Sequence, residues 1–146
     1  MLRYVNGDLF ADKEAMFLAH ACNCQNNWGK GIALELAKRF PKAYERHRLY
    51  KAMLGSFQLL EDSRNVLCLF TSKGYGRFVD PPDSILTNTE KALQALGRHF
   101  KTCGKVTIAS PKINAGLFNV PWQKTENTLE NFLTENPQFE WTVYSL

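Results

Sequence analysis

The chain has 146 residues, of which 45% are hydrophobic and 22% charged, and this composition is typical of a globular protein. The length predicts one domain over residues 1–146, large enough to bury a substantial core. No apolar run approaches the roughly 18 residues that a membrane-spanning helix needs, so no membrane partner is expected. The N-terminus also lacks the apolar core of a secretion signal, which predicts an intracellular protein, cytoplasmic and/or nuclear.

Cysteine spacing and charge limit the kinds of ligand. The four cysteines lack paired C-x-x-C spacing, so a zinc ribbon is not predicted, and free thiols are expected in a reducing compartment. These cysteines are Cys22, Cys24, Cys68 and Cys103. The net charge of +4 is compatible with an anionic ligand. The densest basic group lies over residues 38–48, where the solvated face of a helix is the favoured explanation, so a nucleic-acid partner is not expected.

The first half of the chain is predicted to combine strands with helices. In chain order its elements are a strand over 2–5, a buried strand over 16–22, a helix from Gly31, a helix over 43–54, and strands over 57–60 and 66–71. The strands are short apolar runs, whereas Ile32, Leu36 and Phe40 recur at helical spacing. Pro41 is expected either to end the first helix or to open a second turn.

The second half continues the alternation. Its elements are a Gly- and Pro-rich loop over 72–82, a helix capped by Asp83 or Ser84, a strand over 106–109, a helix over 122–133 and a strand over 139–146. Gly104 is expected just past the first of these helices, and Pro121 in the first turn of the second. Alternating strands and helices predict an α/β fold with a largely parallel sheet flanked by helices.

Three predicted loops follow strands and can meet at the carboxyl edge of the sheet, where such sheets bind ligands. They span residues 7–10, 22–31 and 114–121. In the second loop, Gly29-Lys30-Gly31 opens a helix, so backbone N–H groups and the helix dipole favour an anion there. A simple tight turn explains this G-x-G equally well, since neither a P-loop nor a dinucleotide-binding motif is present.

Several single residues admit two explanations. Asp8 can accept a hydrogen bond from an amino group of a ligand, although an Asx turn is favoured. Asn23 follows a buried strand, and a ligand hydroxyl is one candidate partner for its amide. Phe118 is as compatible with core packing as with a ligand contact. His20 and Trp122 are expected to be core residues.

At these residues the chain resembles macrodomains, over essentially its whole length. VNGDLF resembles the opening strand with its adenine-binding aspartate, here Asp8, and HACN resembles the segment whose last asparagine, here Asn23, contacts the distal ribose. WGKGIA and INAGLFNVPW resemble the two phosphate loops, and FEWTVYSL resembles the last strand, in which Tyr144 packs near adenine. The resemblance implies a three-layer α/β/α macrodomain with a central mixed, largely parallel sheet.

The implied ligand-binding residues come from the strand ends and the loops. They are Gly7, Asp8, Leu9, Ala21, Cys22, Asn23, Trp28, Gly29, Lys30, Gly31, Ile32, Asn114, Ala115, Gly116, Leu117, Phe118, Asn119 and Tyr144. Many relatives have glycine at the positions of Lys30 and Asn119. Lys30 either aids an anion or points to solvent, and Asn119 is compatible with the loop because asparagine tolerates positive φ.

The motifs are most similar to those of the fungal ADP-ribose 1″-phosphate phosphatases, which share CNCxxxWGxGIA, LFTS, SIL and INxGxFxVPW. This implies hydrolysis of the 1″-phosphate of ADP-ribose 1″-phosphate, a by-product of tRNA splicing, by positioning and electrostatic stabilisation. Asn23 is the first catalytic candidate, because it would orient the distal ribose. To activate water, the sequence offers Asp80, for which a role in the loop is the favoured alternative, or His20, whereas Asp83 is better explained as a helix cap. No metal or cofactor is predicted.

Two other functions stay open. The chain also resembles the ADP-ribosyl-glutamate hydrolases, which rely on a lysine after the LFT-like strand and an aspartate in the second phosphate loop. Ser72 and Phe118 occupy those positions here, and Lys73 lies one residue further along, so the lysine-linked mechanism is disfavoured. The alternatives are removal of ADP-ribose from modified proteins, which would make an ADP-ribosylated protein a partner, and an ADP-ribose reader without turnover.

Overall fold

The computed structural model describes residues 2–146, and its strands and helices alternate as predicted. The strands are β1 (Leu2–Asn6), β2 (Phe17–Asn23), β3 (Phe57–Leu60), β4 (Val66–Ser72), β5 (Val106–Ser110) and β6 (Phe139–Ser145). The helices are α1 (Gly31–Arg39), α2 (Pro41–Leu49), α3 (Pro82–His99) and α4 (Trp122–Glu135). Short 3₁₀ turns occur at Leu9–Ala11 and Gly76–Phe78.

The strands form one sheet in the order β1-β6-β5-β2-β4-β3. All neighbouring strands are parallel except β3, which is antiparallel to β4 at one edge. Strand β4, which lies between β2 and the edge strand β3, is buried along all seven of its residues, as expected for a strand covered on both faces. The prediction of a mixed, largely parallel sheet is therefore confirmed.

Each face of the sheet carries its own hydrophobic core. Along β4, Leu67 and Leu69 pack with α3 and α4, whereas Val66, Cys68 and Phe70 pack with α1 and α2. Side chains of a strand alternate between its two faces, so one apolar run serves both cores. Two helices on each side of one sheet make the three-layer α/β/α arrangement that was predicted.

Several predicted boundaries are wrong. Helix α2 begins at Pro41 and ends at Leu49, and Leu49 and Met53 are exposed, so no packing supports another turn. Neither Asp83 nor Ser84 caps α3, because Pro81 is the N-cap residue and Pro82 occupies the first helical position, which suits proline. Helix α3 ends at His99, so Gly104 lies in the turn beyond its end.

Within residues 2–146, no helix combines the length and the apolar character that crossing a membrane requires.

Candidate functional site

The carboxyl ends of three neighbouring parallel strands surround a cavity. Strands β5, β2 and β4 are adjacent in the sheet, so the loops that follow them, over 111–121, 24–30 and 73–81, leave the same edge. Residues from all three loops line a cavity of about 620 Å³. This volume lies within the range of small-molecule sites.

Asparagine side chains hold the loop that follows β2. Asn23 is 7% exposed; its Nδ2 donates to the carbonyl of Asn27 at 2.9 Å, and its Oδ1 accepts from the amides of Gln25 and Asn27 at 2.9 and 3.3 Å. Asn27 Oδ1 in turn accepts from the amide of Gly29 at 2.8 Å. Asn23 lines the cavity, but its amide group is mainly engaged in fixing this loop, which the sequence did not indicate.

Trp28 forms part of the cavity wall and is 2% exposed. Its ring lies 5.0 Å from that of Tyr44, 4.5 Å from that of His47 and 4.7 Å from that of His20, measured between centroids. These contacts tie the loop to α2 and β2. The indole Nε1–H is buried without a hydrogen-bond partner among residues 2–146.

Helix α1 begins at the cavity. Its N-cap residue, Lys30, makes no side-chain capping bond, and the first amides of any helix lack intrahelical acceptors. Gly31 has φ of +60°, and a Cβ placed on it would lie 3.5 Å from Leu117 Cδ1 of the loop after β5. The two loops therefore face one another across the cavity, with the positive end of a helix dipole on one side.

The loop after β5 is anchored by Asn114. Its Oδ1 accepts from the hydroxyl of Thr71 at 2.9 Å, and its Nδ2 donates to the hydroxyls of Thr89 at 2.9 Å and Thr125 at 3.4 Å. Asn114 and Asn119 have φ of 66° and 59°. The expectation that Asn119 adopts positive φ is therefore confirmed.

Three amides predicted to face phosphates are already engaged. Those of Ala115 and Asn119 donate to the carbonyls of Lys112 and Gly116 at 3.2 and 3.1 Å, and neither residue lines the cavity. The amide of Gly29 donates to Asn27. These bonds close the two loops, and the assignment of the three residues to phosphate binding stays a prediction.

The charge of the cavity wall is positive. Lys30 and Lys112 both line it, and among the described residues that line it there is no aspartate or glutamate. Leu117 and Phe118 supply an apolar rim, so Phe118 is a cavity residue. An anionic ligand with an apolar portion suits such a wall.

His20 and Cys22 line the cavity and are buried. His20 Nε2 lies 3.2 Å from Cys22 Sγ and 3.5 Å from Cys68 Sγ, and all three side chains are buried. Burial raises the pKa of the Cys22 thiol well above its usual range, and the neighbouring Cys68 adds to the rise. Such a shift disfavours a free thiolate, so Cys22 is poorly suited to act as a nucleophile.

The structure brings most of the predicted ligand-binding residues to one cavity. Those that line it are Ala21, Cys22, Asn23, Trp28, Gly29, Lys30, Gly31, Ile32, Asn114, Gly116, Leu117 and Phe118. Gly7, Asp8 and Leu9 follow β1, and Tyr144 belongs to β6. These two strands lie beyond β5 in the sheet. The assignment of these four residues to ligand binding, with Asp8 and Tyr144 at adenine, stays a prediction.

Asp8 and Tyr144 have partners within the protein. The carboxylate of exposed Asp8 accepts from the amide of Phe10 at 3.0 Å, which is the turn role that the sequence favoured. The hydroxyl of Tyr144 donates to Asp12 Oδ2 at 2.6 Å. Burial and this hydrogen bond raise the pKa of Tyr144 to about 12.

Asp80 is not brought to the cavity. Its Oδ2 accepts from the amide of Lys73 at 2.8 Å, and its own amide donates to Ser72 Oγ at 3.1 Å. These bonds hold the loop after β4, which is the alternative role that the sequence favoured. The geometry gives no support to Asp80 as the group that activates water.

Several cavity residues were missed from the sequence. They are His20, which was expected in the core and named only as a group that could activate water, and Asn27, Ala33, Tyr75, Gly76, Pro111, Lys112 and Ile113. Position relative to the strands could have indicated two of them. Lys112 directly precedes the second phosphate loop, and Tyr75 lies in the Gly-rich loop after β4, which was not considered as a third wall.

The chain is similar to curated fungal proteins. It is 39% identical over 150 residues to the ADP-ribose 1″-phosphate phosphatase of Candida albicans, and the matched region covers 90% of this chain and 94% of that protein. It is 33% identical over 177 residues to the protein of the same name from Saccharomyces cerevisiae, covering 99% and 98%. No family model matches the chain.

Solved macrodomains have the same fold. The macrodomain of Mycobacterium tuberculosis DarG superposes with a TM-score of 0.85 at 22% identity, covering 100% of this chain and 98% of that one. Thermosipho africanus DarTG, solved in complex with ADP-ribose, superposes with a TM-score of 0.79 at 20% identity, covering 98% and 41%. The shared fold, together with the fungal identity over nearly the whole chain, shows that this chain belongs to the macrodomain family, in the branch of the ADP-ribose 1″-phosphate phosphatases.

Proposed function

We propose that the chain binds ADP-ribose 1″-phosphate and hydrolyses its terminal phosphate monoester. The observation that carries this proposal is the charge of the cavity, which Lys30 and Lys112 line without any aspartate or glutamate among the described residues. A ligand with several phosphates suits such a wall. The names of the fungal relatives support the same activity, and the ADP-ribose complex of a protein with the same fold supports the ligand.

The two facing loops supply the donors for the phosphates. At the start of α1, the amides of Gly31 and Ile32 have no intrahelical acceptor, and the helix dipole favours an anion there. Across the cavity, Gly116, Leu117 and Phe118 form the turn of the other loop. Lys30 and Lys112 add positive charge to the wall. Their attraction to the phosphoryl group would increase as negative charge develops there in the transition state.

Catalysis then rests on positioning and on electrostatic stabilisation. Asp80 is used within its loop, so the cavity wall offers no carboxylate as a base. The imidazole of His20 lines the cavity and is another candidate base. However, its Nε2 is in contact with the thiols of Cys22 and Cys68. We assign the main rate effect to the amides and lysines of the two loops.

The test is phosphate release from ADP-ribose 1″-phosphate, measured for the wild type and for the variants Lys30→Gln and Lys112→Gln. Each lysine variant is expected to lower kcat/KM about tenfold, the usual effect of losing one charge-assisted contact. Lys38→Gln is the matched control, because Lys38 is an exposed lysine of the same helix outside the cavity. Wild-type activity should also fall with added salt. No phosphate release above background from the wild type would refute the phosphatase.

The same samples separate the alternatives. Tight ADP-ribose binding by calorimetry without phosphate release would indicate a reader. Release of ADP-ribose from a modified glutamate would indicate a hydrolase with an ADP-ribosylated protein as its partner. The structure gives that reading less support, because Lys73 is exposed and outside the cavity wall. The four unpaired cysteines support the proposal of an intracellular location.

A further inference from the structure

We propose that His20, Cys22 and Cys68 form a binding site for one thiophilic divalent cation of the zinc class, in the buried wall beside the cavity. The ligand atoms of these three buried residues all lie within 4.8 Å of one another. His20 Nε2 is central, at 3.2 Å from Cys22 Sγ and 3.5 Å from Cys68 Sγ. This inference does not rest on the proposed phosphatase activity, although His20 and Cys22 line the same cavity.

The distances suit a metal of this class. With zinc–sulfur bonds of about 2.3 Å and zinc–nitrogen bonds of about 2.0 Å, tetrahedral geometry places sulfur and nitrogen ligands roughly 3.6 Å apart. The two observed sulfur–nitrogen distances, 3.2 and 3.5 Å, are close to that value. Imidazole and thiolate are also the ligand types that zinc prefers.

The strands create this cluster, and for that reason the cysteine spacing did not reveal it. His20 and Cys22 are two residues apart on β2, so both point to the α1 and α2 face of the sheet. The parallel register of β2 and β4 places Cys68 beside His20. Forty-odd residues separate the two halves of the site in sequence, although neighbouring strands bring them together.

Charge balance favours a metal at this depth. All three side chains are 3% exposed or less, and an uncompensated charge is very costly there. A divalent cation bound by two thiolates and one neutral imidazole carries no net charge. His20 and Cys22 also line the cavity, which provides an entry path for the ion.

Two buried polar atoms beside the cluster lack partners. His47 Nδ1 lies 2.9 Å from Gln58 Oε1 and 4.0 Å from Cys68 Sγ, whereas its Nε2 has no hydrogen-bond partner among residues 2–146. Trp28 Nε1, on a ring 4.5 Å from that of His47, is also unpartnered. Buried polar atoms are rarely left in this state, and both belong to rings that pack around the cluster.

A disulfide between Cys22 and Cys68 is a poorer explanation. Cys22 pairs with Phe70, and Cys68 with His20, so the two cysteines lie diagonally across adjacent strands. Their Cα atoms are then roughly 8 Å apart from strand spacing and rise, beyond the roughly 7 Å limit for a disulfide. The cluster therefore suits a shared ligand better than a direct sulfur–sulfur bond.

The test is metal titration of the full chain, purified without a metal-affinity tag and stripped with a chelator. Zn²⁺ is added in competition with a chromophoric indicator, and Cd²⁺ is added while ultraviolet thiolate-to-metal charge-transfer absorption is followed. One equivalent of each ion is expected to bind. Cys22→Ala and Cys68→Ala should each weaken binding by at least about 100-fold, because losing even an outer-shell partner costs about 10–100-fold.

Cys103→Ser is the matched control, because this cysteine is exposed, and it should bind both ions as the wild type does. Circular dichroism checks that each variant folds. X-ray absorption at the zinc edge of the wild type is a second test that does not depend on the variants, and it should show sulfur and nitrogen ligands. Less than one equivalent bound by the wild type, undiminished binding by folded Cys22→Ala or Cys68→Ala, or an edge spectrum without sulfur would each overturn the proposal.

Discussion

The hydroxyl of Thr71 donates a 2.9 Å hydrogen bond to the side-chain carbonyl of Asn114, 43 residues further along the chain. Thr71 belongs to β4, and Asn114 opens the loop after β5. Through Thr89 and Thr125 the same amide also reaches α3 and α4. The buried side chain of Asn114 therefore fixes the loop after β5 to β4, α3 and α4. The positive φ of Asn114 also sets the direction of the backbone in that loop.

Thr71→Val is expected to lower the free energy of unfolding by about 1–3 kcal/mol, since it leaves the buried Oδ1 of Asn114 without its donor. Asn114→Ala should cost more, because it also places alanine at a φ of 66°, a left-handed conformation that costs about 1–2 kcal/mol. Urea unfolding measures both. The exposed Thr87→Val serves as the control, and equal effects for Thr71→Val and Thr87→Val would contradict the anchoring role.

Asn119 offers a test of backbone conformation alone, because it is exposed and has φ of 59°. Asn119→Gly should leave stability nearly unchanged, whereas Asn119→Ala should destabilise by about 1–2 kcal/mol, the steric cost of the left-handed region for a side chain with a Cβ. Thermal unfolding of the three proteins measures this order. A more stable alanine variant would show that the loop adopts another conformation in solution.

The sequence was informative where apolar periodicity and glycine-containing turns act locally. It placed each strand within about two residues and identified the two loops that face each other at Gly31 and Leu117. It favoured a loop role for Asp80 without identifying Lys73 as the partner. It could not show that the amide group of Asn23 is engaged within its own loop, because that depends on where Asn27 lies. The cluster around His20 was also hidden, since it depends on the register between two strands.

Asn23 links loop geometry to binding. In Asn23→Ala, the amides of Gln25 and Asn27 lose their acceptor, so the unfolding free energy should fall by about 1–3 kcal/mol and ADP-ribose affinity should fall with it. Asn23→Asp keeps the acceptor but brings a negative charge to the cavity, so affinity should fall with a smaller loss of stability. Calorimetry and urea unfolding separate the two effects. Unchanged stability of Asn23→Ala would instead favour direct contact with the ligand.

Tyr144 combines a ring and a hydroxyl with separable roles. Tyr144→Phe removes the hydrogen bond to Asp12 and is expected to cost about 1.5 kcal/mol of stability, while the ring stays available to pack on adenine. Tyr144→Ala should also lower ADP-ribose affinity by about tenfold or more, the usual effect of losing a stacked aromatic ring. Calorimetry with both variants tests this. Equal ADP-ribose affinity of Tyr144→Phe and Tyr144→Ala would show that the ring of Tyr144 does not contact adenine.

Asp12 should make stability depend on acid pH. Burial by itself would raise the pKa of this carboxyl, but hydrogen bonds from Tyr144 and from the amides of Ala15 and Glu14, with the charge of Arg64, hold it below 3.8. The unfolded chain therefore takes up this proton first as the pH falls. The stabilisation is fully present above the unfolded pKa, about 4, and is lost as the pH falls through the lower pKa of the folded state.

Asp12→Asn lacks this contribution at every pH. The difference in unfolding free energy between the wild type and Asp12→Asn is expected to be constant from neutral pH to about pH 5, and then to shrink as the pH falls below about 4. Urea unfolding across this range measures it. In a Tyr144→Phe background the decline should be shallower, since one of the bonds that lower the pKa is gone. A difference that stays constant to the lowest accessible pH would show that Asp12 is not held in this hydrogen-bonded state.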